Sequence, residues 1–513
     1  MTAPATQFKA AARTLAADLR HRSLIQTALG KYEVKRDEMK ARFQDWEGAR
    51  QAAADIKFEA INHLDRYLEQ FVARIEARGT KVHWASTAEE ARQIIVGICR
   101  DRRARRIVKS KAMTAEEIHL NHALEQAGFK VVESDLGEFI VQLRDEAPYH
   151  IVFPAMHLTR GEIKDLFERK LGDAPSDNPE VLTMVARRVL RQEYVAADVG
   201  ITGANFAVAE TGMISVTENE GNARLTAALP RTMITLVGIE KIVPSLADLA
   251  LFLPMLATAG AGQLLSGYNT LYGGPRQPGE ADGPEEFHVV LLDNQRTALL
   301  ADAEQRDALH CIRCGACLNV CPIFRNVGGQ TYGTTYPGPI GSVITPHLRG
   351  LQEWKHLPFA SSLCGACSEV CPVKIDLHHH LLQHRRTARA AKPVWWEKLA
   401  FRGFALLVNT PWLWRLSLAL GRVGQKFHGL VKGTKLDPAY VWTQSREAPA
   451  LAGQSFKAWW RERGRGTTDH GSTGRRTKDQ GPGTKNQGSR VTSHESRIPE
   501  ERPRRSDDGR HGA

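Results

Sequence analysis

Cys311-Ile-Arg-Cys314-Gly-Ala-Cys317-Leu-Asn-Val-Cys321-Pro322 is the stretch on which the reading of this chain turns. Its spacing, C-x2-C-x2-C-x3-C-P, is that of an iron–sulfur cluster loop. Three thiolates two residues apart wrap one corner-sharing cube. The fourth sits past a turn, and the proline ends the wrap. A second run reads Ser361-Ser-Leu-Cys364-Gly-Ala-Cys367-Ser-Glu-Val-Cys371-Pro372, with 42 residues between Cys321 and Cys364. Seven of the 8 cysteines lie in these two runs, which makes them the centre of the chemistry. Gly315 and Gly365 stand where the backbone bends close to inorganic sulfide. A disulfide framework does not suit a chain of this size without a secretory signal. Zinc would use paired C-x2-C knuckles instead of a three-plus-one run ending in proline.

In two-run proteins the fourth cysteine of each run serves the other cluster. Cluster one then takes Cys311, Cys314, Cys317 and Cys371, and cluster two takes Cys321, Cys364 and Cys367. The position that should supply the last thiolate of cluster two is Ser361. A serine oxygen, a water, a partner's ligand or a three-iron cluster would each account for the gap.

Outward from the runs, 513 residues leave room for two or three domains. No secretory pattern opens the chain and no stretch of ~18 apolar residues marks a membrane span. The expected location is cytoplasmic or peripheral to the inner face of the cell membrane. Net charge is +12, but residues 461–513 hold 13 Lys and Arg against 8 Asp and Glu. A solvated, disordered basic tail explains that excess better than nucleic acid, for which no aromatic interleaving or recognised module is present.

Residues 8–50 read as helix. Ile61, Leu64, Leu68, Phe71 and Ile75 step by three and four, an amphipathic helix closed by Gly79. Strands are expected at 81–84, 106–109, 129–132 and 150–153. Thr87 with Glu90, Thr114 with Glu117 and Thr159 with Glu162 read as helix caps. This alternation predicts an α/β sheet with a parallel core. Cys99 reads as a packed core cysteine. Apolar runs at 206–209 and 213–216 are each followed by acidic, amide and glycine residues. Glu210, Thr211, Glu218, Asn222 and Arg224 either line a ligand crevice at strand ends or belong to a plain hairpin. Lys109 and Lys111 close a strand and read as solvated, with a crevice as the other choice. Residues 266–286 read as loop, 287–292 as the last strand and 295–310 as a helical lead-in. The long gap between the runs, with a helix expected at 348–354, suits a helical cluster domain. His378, His379, His380 and His384 read as a surface cluster on a helix. Residues 394–421, rich in Trp, Leu and Arg, suit a helix that lies on a membrane or docks a partner.

The stretch Ala209-Glu210-Thr-Gly212 with Thr217-Glu-Asn-Glu-Gly-Asn-Ala-Arg224 resembles the LUD domain of lactate-utilisation proteins. So do Lys109-Ser-Lys111, Glu133-Ser-Asp135-Leu-Gly-Glu138-Phe139 and Pro148-Tyr-His150-Ile151. That domain, followed by the two cysteine runs and by Trp395-Trp396-Glu397, is similar to the lactate utilisation protein B family over residues 10–460. The resemblance implies an α/β LUD domain, akin to CoA-transferase and sugar-phosphate-isomerase folds, then an α-helical ferredoxin-type domain and a helical C-terminal region. The corresponding boundaries are 1–55 for an N-terminal helical segment, 56–295 for the LUD domain and 300–385 for a two-cluster [4Fe-4S] domain. A helical C-terminal domain follows at 390–460 and the tail at 461–513. Serine in place of the first cysteine of the second run is usual in that family; the long polar tail is not.

The resemblance implies an iron–sulfur subunit of a three-part system that oxidises L-lactate to pyruvate. Its partners would be a cysteine-rich iron–sulfur subunit and a smaller LUD protein, with a quinone or membrane surface as a further contact. No catalytic residue carries over. With no G-x-G-x-x-G after a strand, the chain itself has no dinucleotide fingerprint, so it reads as a non-catalytic electron-transfer subunit of an L-lactate dehydrogenase complex. The alternatives are the iron–sulfur subunit of an oxidoreductase acting on glycolate, glycerol phosphate or a heterodisulfide, and a redox-sensing regulatory or scaffold protein.

Overall fold

Among the described residues, ten strands make two sheets: β1 (Lys81–Ala85), β2 (Arg106–Lys109), β3 (Lys130–Glu133), β4 (Val199–Thr202), β5 (Phe206–Val208), β6 (Met213–Glu218), β7 (Thr232–Gly238), β8 (Ile242–Val243), β9 (Tyr268–Tyr272) and β10 (Glu286–Leu292). The computed structural model describes residues 4–173, 175–432 and, beyond them, 434, 436–437, 440–443, 446 and 452–465. The tail expected at 461–513 therefore falls outside the described residues from 466 onward. Residues Met1–Trp395 form one compact unit and Trp396–Ala513 a second.

The larger sheet has the order β1-β10-β7-β4-β2-β3, and every pairing in it is parallel. Parallel strands covered on both faces read as unbroken apolar runs, and all seven residues of β7 are buried. The smaller sheet runs β8-β5-β6-β9, with β5 and β6 an antiparallel hairpin. It holds the polar stretch singled out in the sequence.

Helices cover the sheet and close over the cysteine segment. The helix Arg160–Leu171 starts with the expected reciprocal box, Thr159 with Glu162. At the helix Ala88–Asp101, Thr87 Oγ1 accepts the Glu90 N–H at 3.2 Å, while the Glu90 carboxylate accepts from Ser86 N–H. The cap expected at Thr114 does not form. The helix Met113–Glu117 starts from Ala112 without a side-chain cap, and Thr114 and Glu117 are both buried. Glu117 is drawn inward by Arg296, as described below. No strand forms at 150–153, because residues 144–159 hold neither helix nor strand. There the His150 ring pins a loop, with Nδ1 accepting the Val152 N–H at 3.0 Å. Conversely, β9 lies inside the stretch expected to be loop; it pairs antiparallel along β6.

The helix expected over 8–50 is broken by two aspartates. Asp18 caps Leu19–Lys40 and Asp45 caps Trp46–Asn62, each carboxylate accepting an N–H three residues on. These helices are part of the main core: Ile25, Leu29, Ala53 and Ile61 share one buried cluster with Cys314, Cys317 and Cys371. From Arg296 to Ala391 the chain is helical without a strand. Cys99 is fully buried, and burial pushes its thiol up to about 12.

In the C-terminal part, the helices Trp395–Asn409 and Pro411–Val431 have no buried residue. Trp396, Phe401, Leu406 and Trp412 are each more than half exposed. Among the described residues, no helix is long and apolar enough to cross a membrane.

Candidate metal centre and the cavity beside it

The two cysteine runs fold alike. Arg313 and Gly315 flank Cys314 with φ of 60° and 81°, and Leu363 and Gly365 flank Cys364 with 53° and 84°. A left-handed residue on each side of the central cysteine turns the backbone around a common point, and glycine takes that conformation freely. The equivalence extends to the start of each run. Arg313 N–H donates to Cys311 Sγ at 3.4 Å, and Leu363 N–H donates to Ser361 Oγ at 3.2 Å. Ser361 thus occupies in its run the place that Cys311 occupies in the first.

Neighbouring thiols fall into two sets. Cys314 feels the charge of Cys371 and Cys311, and Cys317 that of Cys311 and Cys314. Cys321 feels Cys364, and Cys367 feels both. The sets adjoin, since Cys317 also feels Cys367. None of these cysteines is in a disulfide, and five of the seven are buried. Burial, reinforced by the neighbouring thiols, pushes Cys314 and Cys317 well above the ordinary thiol range, Cys371 up to about 12 and Cys367 up to about 11. Without metal such a group would hold its protons; a metal replaces them. Backbone N–H groups also point at the sulfurs, as Ile375 does at Cys371 (3.4 Å). This donor set fits iron–sulfur binding, with the set around Cys321 one thiolate short.

The settings of the runs differ. Cys364 is exposed, whereas Cys314 is buried and lines a cavity of about 520 Å³. Ser110, Lys111, Glu218, Asn222, Lys241 and Arg313 are among the cavity's other walls. Of the residues proposed from sequence for a ligand crevice, Glu218 and Asn222 are here. Glu210 and Thr211 are not: the Glu210 carboxylate accepts the Leu246 N–H at 2.9 Å, and Thr211 Oγ1 accepts the Met213 N–H. Arg224 stacks over Tyr268 and faces a second hollow. The hairpin and the crevice, posed as alternatives, coexist at Glu218 and Asn222. Lys109 is not solvated; it is buried between Glu133 at 2.8 Å and Glu116 at 3.1 Å.

Below the cavity lies a charge network that sequence reading missed. Arg296 donates to both carboxylate oxygens of Glu117, at 2.9 and 2.8 Å, and through Nε to Glu240 at 2.5 Å. Glu240 also accepts from Arg313 Nη2 at 3.2 Å, and Tyr336 Oη donates to Glu117 at 2.7 Å. Burial alone would raise Glu240; the Arg296 and Arg313 guanidiniums overcome it and hold the carboxyl at about 2. Lys57 Nζ donates to the Glu240 and Ile242 carbonyls, and burial pushes that amine down to about 7. Through Glu240 the first cysteine loop is tied to the sheet. The available signal was Glu240-Lys241 directly after the apolar run of β7, at the carboxyl end of a parallel strand.

The four C-terminal histidines do not form one surface cluster. His378 and His379 flank Asp376 near the surface. His380 and His384 are buried, and His384 Nε2 donates to Val343 O at 2.8 Å. His380 and His384 are four residues apart and share the inward face of the helix Leu377–Ala391, whereas His378 and His379 lie off it, which explains the split.

Against known families, residues 68–292 match the LUD domain, 307–375 the 4Fe-4S dicluster domain and 378–465 the C-terminal domain of lactate utilisation protein B. Lactate utilization protein B of Oceanobacillus iheyensis is 43% identical over 456 residues, covering 88% of this chain and 95% of that one. The Shouchella clausii protein of the same name is 45% identical, covering 86% and 94%. An uncharacterized electron transport protein, YkgF, of Escherichia coli is 41% identical, covering 89% and 97%. With its parallel α/β sheet, its helical cysteine segment and likeness along most of its length, the chain belongs to the lactate utilization protein B family of iron–sulfur proteins.

Proposed function

We propose that this protein is the iron–sulfur electron-transfer subunit of a multi-subunit system that oxidises L-lactate to pyruvate, and that it carries two [4Fe-4S] clusters. Cys311, Cys314, Cys317 and Cys371 hold one. Cys321, Cys364 and Cys367 hold the other, with Ser361 at its fourth position. The observation that carries this reading is the contrast in exposure: Cys314 is buried in the wall of a cavity, and Cys364 stands at the surface. Loaded with iron and sulfide, the two sets supply one-electron carriers.

The chain's own residues shape the path. Arg50 fastens the second run by donating from Nε to Cys371 O at 2.9 Å, and its guanidinium is paired with Glu47. Glu240 and Arg313 fasten the first. The partners are a cysteine-rich iron–sulfur subunit and a smaller LUD protein. The exposed tryptophans of residues 395–414 offer them, or a membrane face with its quinone, a place to dock. The names of the relatives support lactate utilisation and electron transport. Electron paramagnetic resonance on anaerobic protein co-expressed with its partners tests the reading. Reduced-cluster signals should follow L-lactate and not D-lactate or glycolate. Clusters that respond to dithionite alone would remove it.

A further inference from the structure

We propose that the cationic end of the cavity binds a short 2-hydroxy or 2-oxo carboxylate, its carboxylate held by Arg313 and Lys241 beside Cys314. The inference rests on the lactate reading and adds a place for the acid within this chain. Arg313 is 9% exposed at its side chain and lines the cavity. One of its nitrogens donates to Glu240, but Nε and Nη1 have no hydrogen-bond partner among the described residues. The ring of Tyr336, 4.7 Å from the guanidinium carbon, holds it in place. Lys241 is 7% exposed and lines the same wall. No hydrogen bond or ion pair to its Nζ is found among the described residues.

Three other charged groups of the wall are already engaged. Lys111 Nζ donates to Val152 O at 3.0 Å. Glu218 accepts the Ala223 and Arg224 N–H groups, and Glu220 the Leu136 N–H. Arg313 and Lys241 are therefore buried donors of the wall that no neighbour takes up.

Charge selects the ligand class. Arg296, Arg313, Lys241 and Lys57 outnumber the two buried carboxylates near them, Glu117 and Glu240, which leaves positive charge to balance. Buried charge without a partner is unfavourable. A guanidinium fork beside an ammonium matches a carboxylate in shape and sign. The rival claimant for that charge is the Cys311 sulfur, and the test separates the two.

Equilibrium binding of L-lactate, pyruvate and uncharged 1,2-propanediol is measured on the full chain, purified anaerobically with its iron counted. The acids should bind and the diol should not. Lys241→Met should weaken the acids by tenfold or more at unchanged iron content, and Lys241→Arg should restore most of the affinity. In wild-type protein, pyruvate and not the diol should also shift the resonance of the reduced cluster, a readout that stands even if the variant fails to fold. Absence of acid binding to loaded wild type overturns the site. So does a Lys241→Met variant whose cluster potential falls while its acid affinity holds, since the charge then serves the sulfur alone. Binding here without lactate-dependent reduction in the assembled system leaves the site and removes lactate oxidation. Reduction by lactate without binding here does the reverse.

Discussion

The two cysteine runs share a backbone and differ in everything around it. Each turns through left-handed residues on either side of its central cysteine, and each opens with a side-chain acceptor for the amide two residues on. The first is tied inward: its Arg313 reaches Glu240, and through Glu240 the sheet. The second has an exposed Cys364 and a serine where the first has Cys311. One loop design therefore serves two settings, and the packing around it, not the spacing, separates an inner site from an outer one.

The largest break in that comparison is Cys314→Ala. It should remove the iron of the first set and abolish lactate-dependent reduction, read by iron analysis and resonance. A wild-type rate would sink the electron path drawn above. Next comes Arg296→Met, which leaves Glu117 and Glu240 without their shared guanidinium. Breaking a buried pair by removing one partner costs about 3–5 kcal/mol. A thermal melt should show that loss, and the visible spectrum should show the first set bleaching before the second.

A smaller effect sharpens the comparison. Ser361→Cys should make the second run resemble the first and slow its loss of iron in air by several-fold. Cys311→Ser should bring the first run toward the second. Unchanged bleaching in Ser361→Cys would place Ser361 outside the ligand shell. The smallest effect is in pH. Burial lowers His384 to about 4, against 6.5 for a free ring. Between those values the unfolded chain binds more protons, so stability present above pH 6.5 is lost as pH falls towards 4. His384→Gln, which keeps a donor for Val343 O, should flatten that slope by at most about 1.4 kcal/mol per pH unit. Melting the variant and the parent across this range checks it.

Much of the architecture was legible because it rests on local rules. The caps at Thr87 and Thr159, the apolar stripe Leu64, Leu68, Phe71 and Ile75, and the apolar run of β10 are short-range patterns, whereas Ile61, expected on the same helix as that stripe, ends the preceding one. The misses have a common cause. Glu117 reads as a capping residue from its spacing to Thr114, but a buried arginine 179 residues away claims it. His380 and His384 read as surface residues because their run is polar, yet a helix turns every third or fourth residue inward. The strand expected at 150–153 gave way to a loop once the His150 ring had taken its own backbone amides.

By itself the sequence determined the cysteine chemistry, the parallel α/β class and the family, because ligand spacing and apolar period are properties of neighbouring residues. Only the tertiary structure decided which cysteine meets the cavity, which one meets solvent, and that Lys241 and Arg313 stand together beside Cys314. Those relations join residues far apart in the chain, and no local pattern encodes the distance between them.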